Sequence, residues 1–286
     1  MSENEIKFLD NLEKARKHFN KKEYKNARLM YFQALNCTSN PAEKAIIWAE
    51  VGWVYYYEKD YNRAIEAAEN VLMQDNRYKA LDDLYRVQGY AYLGLANYML
   101  ASRYLQLSLE NNSTDDKQQF VKYELGKLNF IQGDYDLALP YFIESLDYFQ
   151  KNNNEYHLSI LFYLGFINYY LNNFEKSSDY FNKIIVAEPS EQRLASAKFG
   201  IAFLEFQQKN YLNVISLCEE IIALDKDFFD KESVGFLTAA SYLYLGRKDI
   251  FGEYYRKMKD TYPNGRYNEE LDRLNSTIAN ASSTNQ

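Results

Sequence analysis

The chain has 286 residues, with 33 Lys+Arg against 40 Asp+Glu and a formal net charge of −7. At 47% hydrophobic and 26% charged it has the composition of a soluble globular protein rather than a disordered one, and its acidic balance argues against a binder of nucleic-acid phosphate. Four Pro and 11 Gly are too few for a turn-rich β fold and favour helices, while 28 Tyr and 18 Phe need an explanation.

From the N-terminus, Met1 to Lys7 carry acids and no apolar core, so no signal peptide is expected. No stretch reaches the roughly 18 apolar residues of a membrane span, and Ser2 and the Ser/Thr/Asn tail ending at Gln286 match no lipidation motif. Cys37 and Cys218 form no disulfide framework and no metal spacing. These features imply a reduced, cytoplasmic protein without direct membrane insertion.

One register runs through the chain. A small residue is followed nine positions later by an aromatic at Ala15/Tyr24, Gly52/Tyr61, Gly89/Tyr98, Gly126/Tyr135, Gly165/Phe174 and Ala202/Tyr211, and successive small residues are 37, 37, 37, 39 and 37 apart. A further step of 37 reaches Ala239, where Lys248 replaces the aromatic. Each unit predicts two antiparallel amphipathic helices, with small residues letting their backbones approach and aromatics filling the wedge to the next unit. Tyr24, Tyr61, Tyr98, Tyr135 and Tyr211 are therefore read as structural.

In chain order, the first unit carries Ala15, Ala27, Tyr31 and Ala34. The second reads Trp48, Val51, Gly52, Tyr55, Tyr61 and Ala64, opened by a cap at Asn40, Pro41 at the first helical position and Glu43 at the capping-box site. Ser113 and Thr114 give a similar start signal before the fourth, whose second helix contains Pro140, where a slight bend is expected. Leu105 and Cys218 stand where an aromatic is usual, so the third and sixth units are degenerate. The fifth closes on Pro189 and the seventh on Pro263. After it, Tyr267, Leu271, Leu274 and Ile278 line one face of a last helix, a cap for the open end of the stack.

This pattern resembles the tetratricopeptide repeat, over roughly residues 8 to 264. The resemblance implies an all-α, right-handed superhelical solenoid of stacked antiparallel helix pairs. It gives an N-terminal flank at 1–7, seven hairpins starting near 8, 45, 82, 119, 158, 195 and 232, a capping helix at 265–280 and a disordered tail at 281–286. It further implies that the first helices line a concave groove. The groove-facing positions include Arg16, Trp53, Tyr56, Tyr57, Tyr90, Tyr123 and Phe130, then Phe162, Phe166, Tyr170, Phe199 and Phe203. Large aromatics are frequent interface anchors, so the expected ligand is an apolar or aromatic peptide segment or a partner helix. The alternative is that tight packing leaves the groove partly self-filled. A clamp for chaperone C-terminal carboxylates is not expected, because Leu12, Arg16, Glu50, Asp83 and Val87 stand at its positions.

Residues 1–50 hold nine bases and seven acids, and residues 51–150 nine bases and fifteen acids. Lys14, Arg16, Lys17, Lys21, Lys22, Lys25 and Arg28 make the first hairpin basic, a solvated face or a docking end. His18 and His157 lie in different units, and no phosphate loop, dinucleotide fingerprint or nucleophile elbow is present. The expectation is a non-catalytic adaptor or scaffold with no cofactor, metal or nucleic acid. Two other readings are a peptide-sensing regulator, which the seven residues before the first unit disfavour, and a self-associating structural protein.

Overall fold

The computed structural model describes residues 2–111, 115–187 and 189–283, and among them all regular structure is α-helix. The start signal at Ser113 and Thr114, the side chain of Ile278 and the last three residues of the tail lie outside the described part. The chain forms two compact units, Met1–Gln132 and Gly133–Gln286. The first holds α1 (Glu3–Asn20), α2 (Tyr24–Asn36), α3 (Pro41–Tyr57), α4 (Tyr61–Gln74), α5 (Leu81–Gly94), α6 (Tyr98–Glu110) and α7 (Asp115–Gln132). The second holds α8 (Tyr135–Asn152), α9 (Asn154–Tyr170), α10 (Phe174–Val186), α11 (Glu191–Gln207), α12 (Tyr211–Leu224), α13 (Lys231–Tyr244), α14 (Lys248–Thr261) and α15 (Asn268–Ser283).

The first helix of each hairpin begins ahead of the expected start, and for α1, α3, α9, α11 and α13 a side-chain cap stands just before it. The Asn40 side chain accepts from the Ala42 N–H at 3.0 Å, with Pro41 at the first helical position. Glu43 closes no capping box; its carboxylate takes the Thr38 hydroxyl instead. α8 runs on through Pro140, and α15 extends to Ser283.

Between the helices of a hairpin one turn recurs. In the second hairpin the Tyr55 carbonyl accepts from Asp60 N–H and the Tyr56 carbonyl from Lys59 N–H, both at 2.9 Å, with Lys59 at φ 62°. This is the Schellman arrangement, in which a left-handed residue reverses the chain and satisfies the last carbonyls. The same pair of bonds forms at Lys22/Glu23, Ala96/Asn97, Asn172/Asn173, Lys209/Asn210 and Gly246/Arg247. Left-handed residues fall at 22, 59, 96, 133, 172, 209 and 246, each seven after a small residue of the register. The residue after each opens the second helix, and two of these are side-chain caps: Asp60 accepts from Arg63 N–H at 3.3 Å and Asn97 from Leu100 N–H at 3.2 Å. The register aromatic is therefore the first residue of the second helix.

That placement explains much of the tyrosine. The first residue of the second helix stacks on the last turn of the next unit's first helix: Tyr24 on Tyr57 at 5.2 Å, Tyr135 on Tyr170 at 4.4 Å, and Tyr211 on Tyr244 at 4.9 Å. Each such pair adds about 0.5–1.5 kcal/mol beyond its buried area. The core lies between helices. Ala15, Ala27, Ala64, Ala101 and Ala138 are fully buried, as are Phe142 and Phe181. Phe181 of α10 wedges between Gly165 of α9 and Gly200 of α11, and a Cβ on either glycine would overlap its ring.

The last helix closes the second unit. Leu271 and Leu274 are buried against α13 and α14, Tyr267 stacks on Phe236 at 4.2 Å, and its hydroxyl meets Ser233 Oγ at 2.8 Å.

Candidate functional site

In the first unit, neighbouring first helices bring Trp53 and Tyr56 of α3 beside Tyr90 of α5, with ring centroids 6.1 and 5.9 Å from Tyr90. The Trp53 indole N–H donates to Asp83 Oδ2 at 2.8 Å, and the Arg86 guanidinium lies over its ring, 4.9 Å from the centroid. Asp83 also pairs with Arg86 and, at 3.4 Å, with Lys117. A charged cluster thus fixes the tryptophan, by hydrogen bond and by cation–π attraction. Tyr57 is stacked on Tyr24 on one side and is 47% exposed.

Further along this face, Arg16 makes a two-pronged pair with Glu50, Nε at 3.0 Å, and Glu50 also accepts the Tyr31 hydroxyl at 2.7 Å. Burial, with Glu50 beside it, pushes the Tyr31 phenol well above its ordinary value. The Glu50–Arg16 partnership likewise raises the Arg16 guanidinium. Tyr123 is buried under the Lys127 ammonium, which is itself held by Glu124 at 2.9 Å. Phe130 is half-buried.

The second unit builds its face from hydrocarbon. Phe166 of α9 meets Phe162, Phe199 and Phe203 at 5.0, 5.8 and 5.8 Å, and Phe199 meets Phe203 at 5.0 Å. Phe166 and Phe199 are only 4% and 3% exposed, whereas Phe162 and Phe203 are half-buried and Tyr170 is exposed. Although one side of its ring is open, partial shielding from water with Tyr135 stacked beside it pushes the Tyr170 phenol up to about 12.

Of the twelve positions expected to face the groove, Tyr123, Phe166 and Phe199 are core-packed. In the second unit, Phe199 is covered by Phe166 of the preceding first helix and by Phe228 of the α12–α13 connection, whereas Phe162 meets Phe166 and Phe181 and stays half-buried. Arg16, Tyr57 and Tyr170 keep open surface, and Trp53, Tyr56, Tyr90, Phe130, Phe162 and Phe203 are partly accessible.

Two residues missed by sequence reasoning join the second face. Phe228 and Phe229 sit in the α12–α13 connection, where Asp225 accepts the N–H groups of Asp227 and Phe228 at 3.0 and 3.1 Å and sets the turn. Phe228 is buried 5.1 Å from Phe199. Phe229 is 66% exposed and lies 5.8 Å from Phe199 and 6.1 Å from Phe162. Their signal was an adjacent aromatic pair in an acidic loop, a place where neither helical periodicity nor core packing calls for rings.

Among the described residues no group of three or more His, Cys, Asp or Glu is placed to hold a metal ion, and no helix is long and apolar enough to cross a membrane.

Comparison with known proteins agrees with this architecture. Residues 119–185 match the tetratricopeptide repeat family. A TPR repeat-containing protein of Methanocaldococcus jannaschii is 26% identical over 169 residues, 57% of this chain. The match spans 28% of that relative's length. Among solved structures, a tetratricopeptide repeat protein from Parabacteroides merdae superposes with TM-score 0.58 at 16% identity, over 95% of this chain and 99% of that one. The apo form of RapI gives 0.57 at 21% identity, over 90% and 99%. The APC/C hetero-tetramer Cut9–Hcn1 gives 0.58 at 14% identity, over 88% and 52%. At these identities the structural likeness is one of fold.

Proposed function

The chain is a tetratricopeptide-repeat protein, and from that premise we propose that it is a non-catalytic adaptor holding a segment of a partner protein on the first-helix faces. The observation that carries the reading is the uncharged aromatic patch of the second unit. Phe162, Phe203 and Tyr170 offer partly open rings beside buried Phe166 and Phe199, with Phe229 standing above them. A patch of this kind on a monomer's surface usually marks an interaction site, and a few such rings can each contribute about 2 kcal/mol to binding. The preferred ligand is an extended or helical segment carrying large apolar side chains.

The chemistry of the first unit bears on ligand choice. Glu50 and Asp83 stand where a carboxylate clamp would need donors, and both already neutralise arginine. A partner's C-terminal carboxylate would meet acid there, so an internal segment is the expected ligand. The Cut9 structure, solved with Hcn1, is a case of this fold in a complex with another protein.

The test is affinity capture from the native lysate with identification of the partner, followed by its affinity for Phe203→Ala, Trp53→Ala and the unaltered chain. Loss of about tenfold or more with Phe203→Ala at unchanged helicity is expected. Equal affinity for all three proteins would remove the first-helix faces as the site.

A further inference from the structure

On the side of the second unit formed by its second helices, a cavity of about 550 Å³ opens between α12, α13 and α14. Its lining can be compared across the repeat. Four residues before the register's small residue, the second unit of the repeat carries Trp48, the third Tyr85 and the fifth Leu161; the seventh carries Gly235. Sixteen residues after the small residue, the fourth and fifth repeats carry Phe142 and Phe181, both fully buried, whereas the sixth carries Cys218. Gly235 and Cys218 both line this cavity. Compared with Leu161, Phe142 and Phe181 of the fourth and fifth repeats, this place carries two smaller side chains, although the second repeat has Ala68 at the position of Cys218.

The space is only partly reclaimed. The Met258 sulfur sits where a Cβ of Gly235 would be, and methionine is the side chain best suited to move out of or into an irregular gap. Ile222, Val234, Tyr254 and Tyr262 complete an apolar wall. Burial pushes the Cys218 thiol up to about 11, so it adds no negative charge at neutral pH. The rim is basic: Lys226, Lys231 and Lys257 face it against Glu219 alone. Of the three, Lys231 is engaged with Asp227 at 3.3 Å. The homologous cleft between α8, α9 and α10, about 720 Å³ with Leu161 in place of Gly235, differs in charge rather than in size: it has the single lysine Lys183 with Asp179.

We propose that this cavity binds a small amphipathic carboxylate, an apolar body of roughly ten carbons buried against Gly235 and Met258 with its anion held by Lys226 and Lys257. The volume falls in the ~300–1,000 Å³ range of small-molecule sites, which are mostly apolar with a few placed polar groups. The site lies away from the first-helix faces and does not rest on the adaptor reading.

The test uses the full chain with ¹³C-methyl methionine and decanoate, below its micelle concentration, as the probe. A saturable shift of the Met258 methyl signal is expected. Gly235→Leu, which supplies the side chain Leu161 supplies elsewhere, should weaken binding about tenfold or more while leaving the unfolding midpoint unchanged or higher. Lys226→Ala/Lys257→Ala, which leaves the cavity itself intact, should weaken decanoate about tenfold and leave decan-1-ol unaffected. Three results would each overturn the proposal: no saturable shift at Met258, wild-type affinity in Gly235→Leu, or decanol binding as tightly as decanoate. Occupation by an acidic tryptophan-containing peptide in the absence of any decanoate effect would assign the cavity to a protein side chain instead, and would equally overturn it.

Discussion

Trp53 in the first unit and Phe166 in the second each follow directly on the register glycine, yet their surroundings differ in kind. Trp53, though flanked by Tyr56 and Tyr90, is tied to Asp83 by its indole N–H and lies under Arg86. Phe166 is packed by Phe162, Phe181, Phe199 and Phe203. A ring held by ions keeps its orientation in a polar setting and responds to salt and to loss of a single hydrogen bond. A ring held by other rings depends on volume, and answers to any change in shape. The same position of one repeat thus serves a polar, preorganised face in one unit and a close-packed apolar face in the other.

The largest expected effect tests the volume side of this contrast. Gly165→Ala should destabilise the second unit by about 2–3 kcal/mol, because Phe181 is fully buried and cannot retreat from the new methyl. The matching Gly52→Ala in the first unit meets nothing nearer than 3.6 Å and should instead stabilise by about 0.5–1 kcal/mol through helix propensity. Urea unfolding of both variants reports the difference, and equal shifts would dissolve the contrast.

Trp53→Phe keeps an aromatic ring, smaller than the indole, and removes the donor. A loss of about 1 kcal/mol is expected from the missing bond to Asp83, shrinking at 1 M NaCl as the surrounding ion pairs are screened. A salt-independent loss would mean that shape rather than charge holds this position.

A gain of similar or smaller size is expected at the turns. Ala96 sits at φ 56°, a conformation costing a non-glycine residue on the order of 1 kcal/mol. Ala96→Gly should therefore raise the melting temperature, while Gly246→Ala, at φ 81°, should lower it.

The mildest effect is expected from acid. Burial holds the His157 imidazole in α9 below its ordinary value, so the folded state prefers it neutral. The unfolded chain then binds the proton more readily, and stability is present above the unfolded value of about 6.5 and lost as the pH falls below it. His157→Gln should flatten that part of the pH–stability curve; an unchanged curve would assign the acid sensitivity to other groups.

The sequence by itself determined the helical hairpins, their register and the structural use of the tyrosines. A period of 37 with small residues and aromatics at fixed offsets permits one local solution, and it repeats. Family resemblance carried the choice of first helices as the face bearing Trp53, Phe162 and Phe203. Other features needed coordinates. The left-handed residues at Lys22, Lys59, Ala96, Asn172 and Lys209 carry no glycine to announce them, because the Schellman hydrogen bonds and the packing around each turn impose the conformation. Which aromatics are buried could not be read either: Phe166 is covered by rings from α10 and α11, and Phe199 by a ring of a loop about 30 residues further along the chain. The place of Phe229 and the cavity behind Gly235 follow the same logic. Periodicity fixes what a residue faces within its own hairpin, and only the stacking of hairpins decides how much of that face is filled.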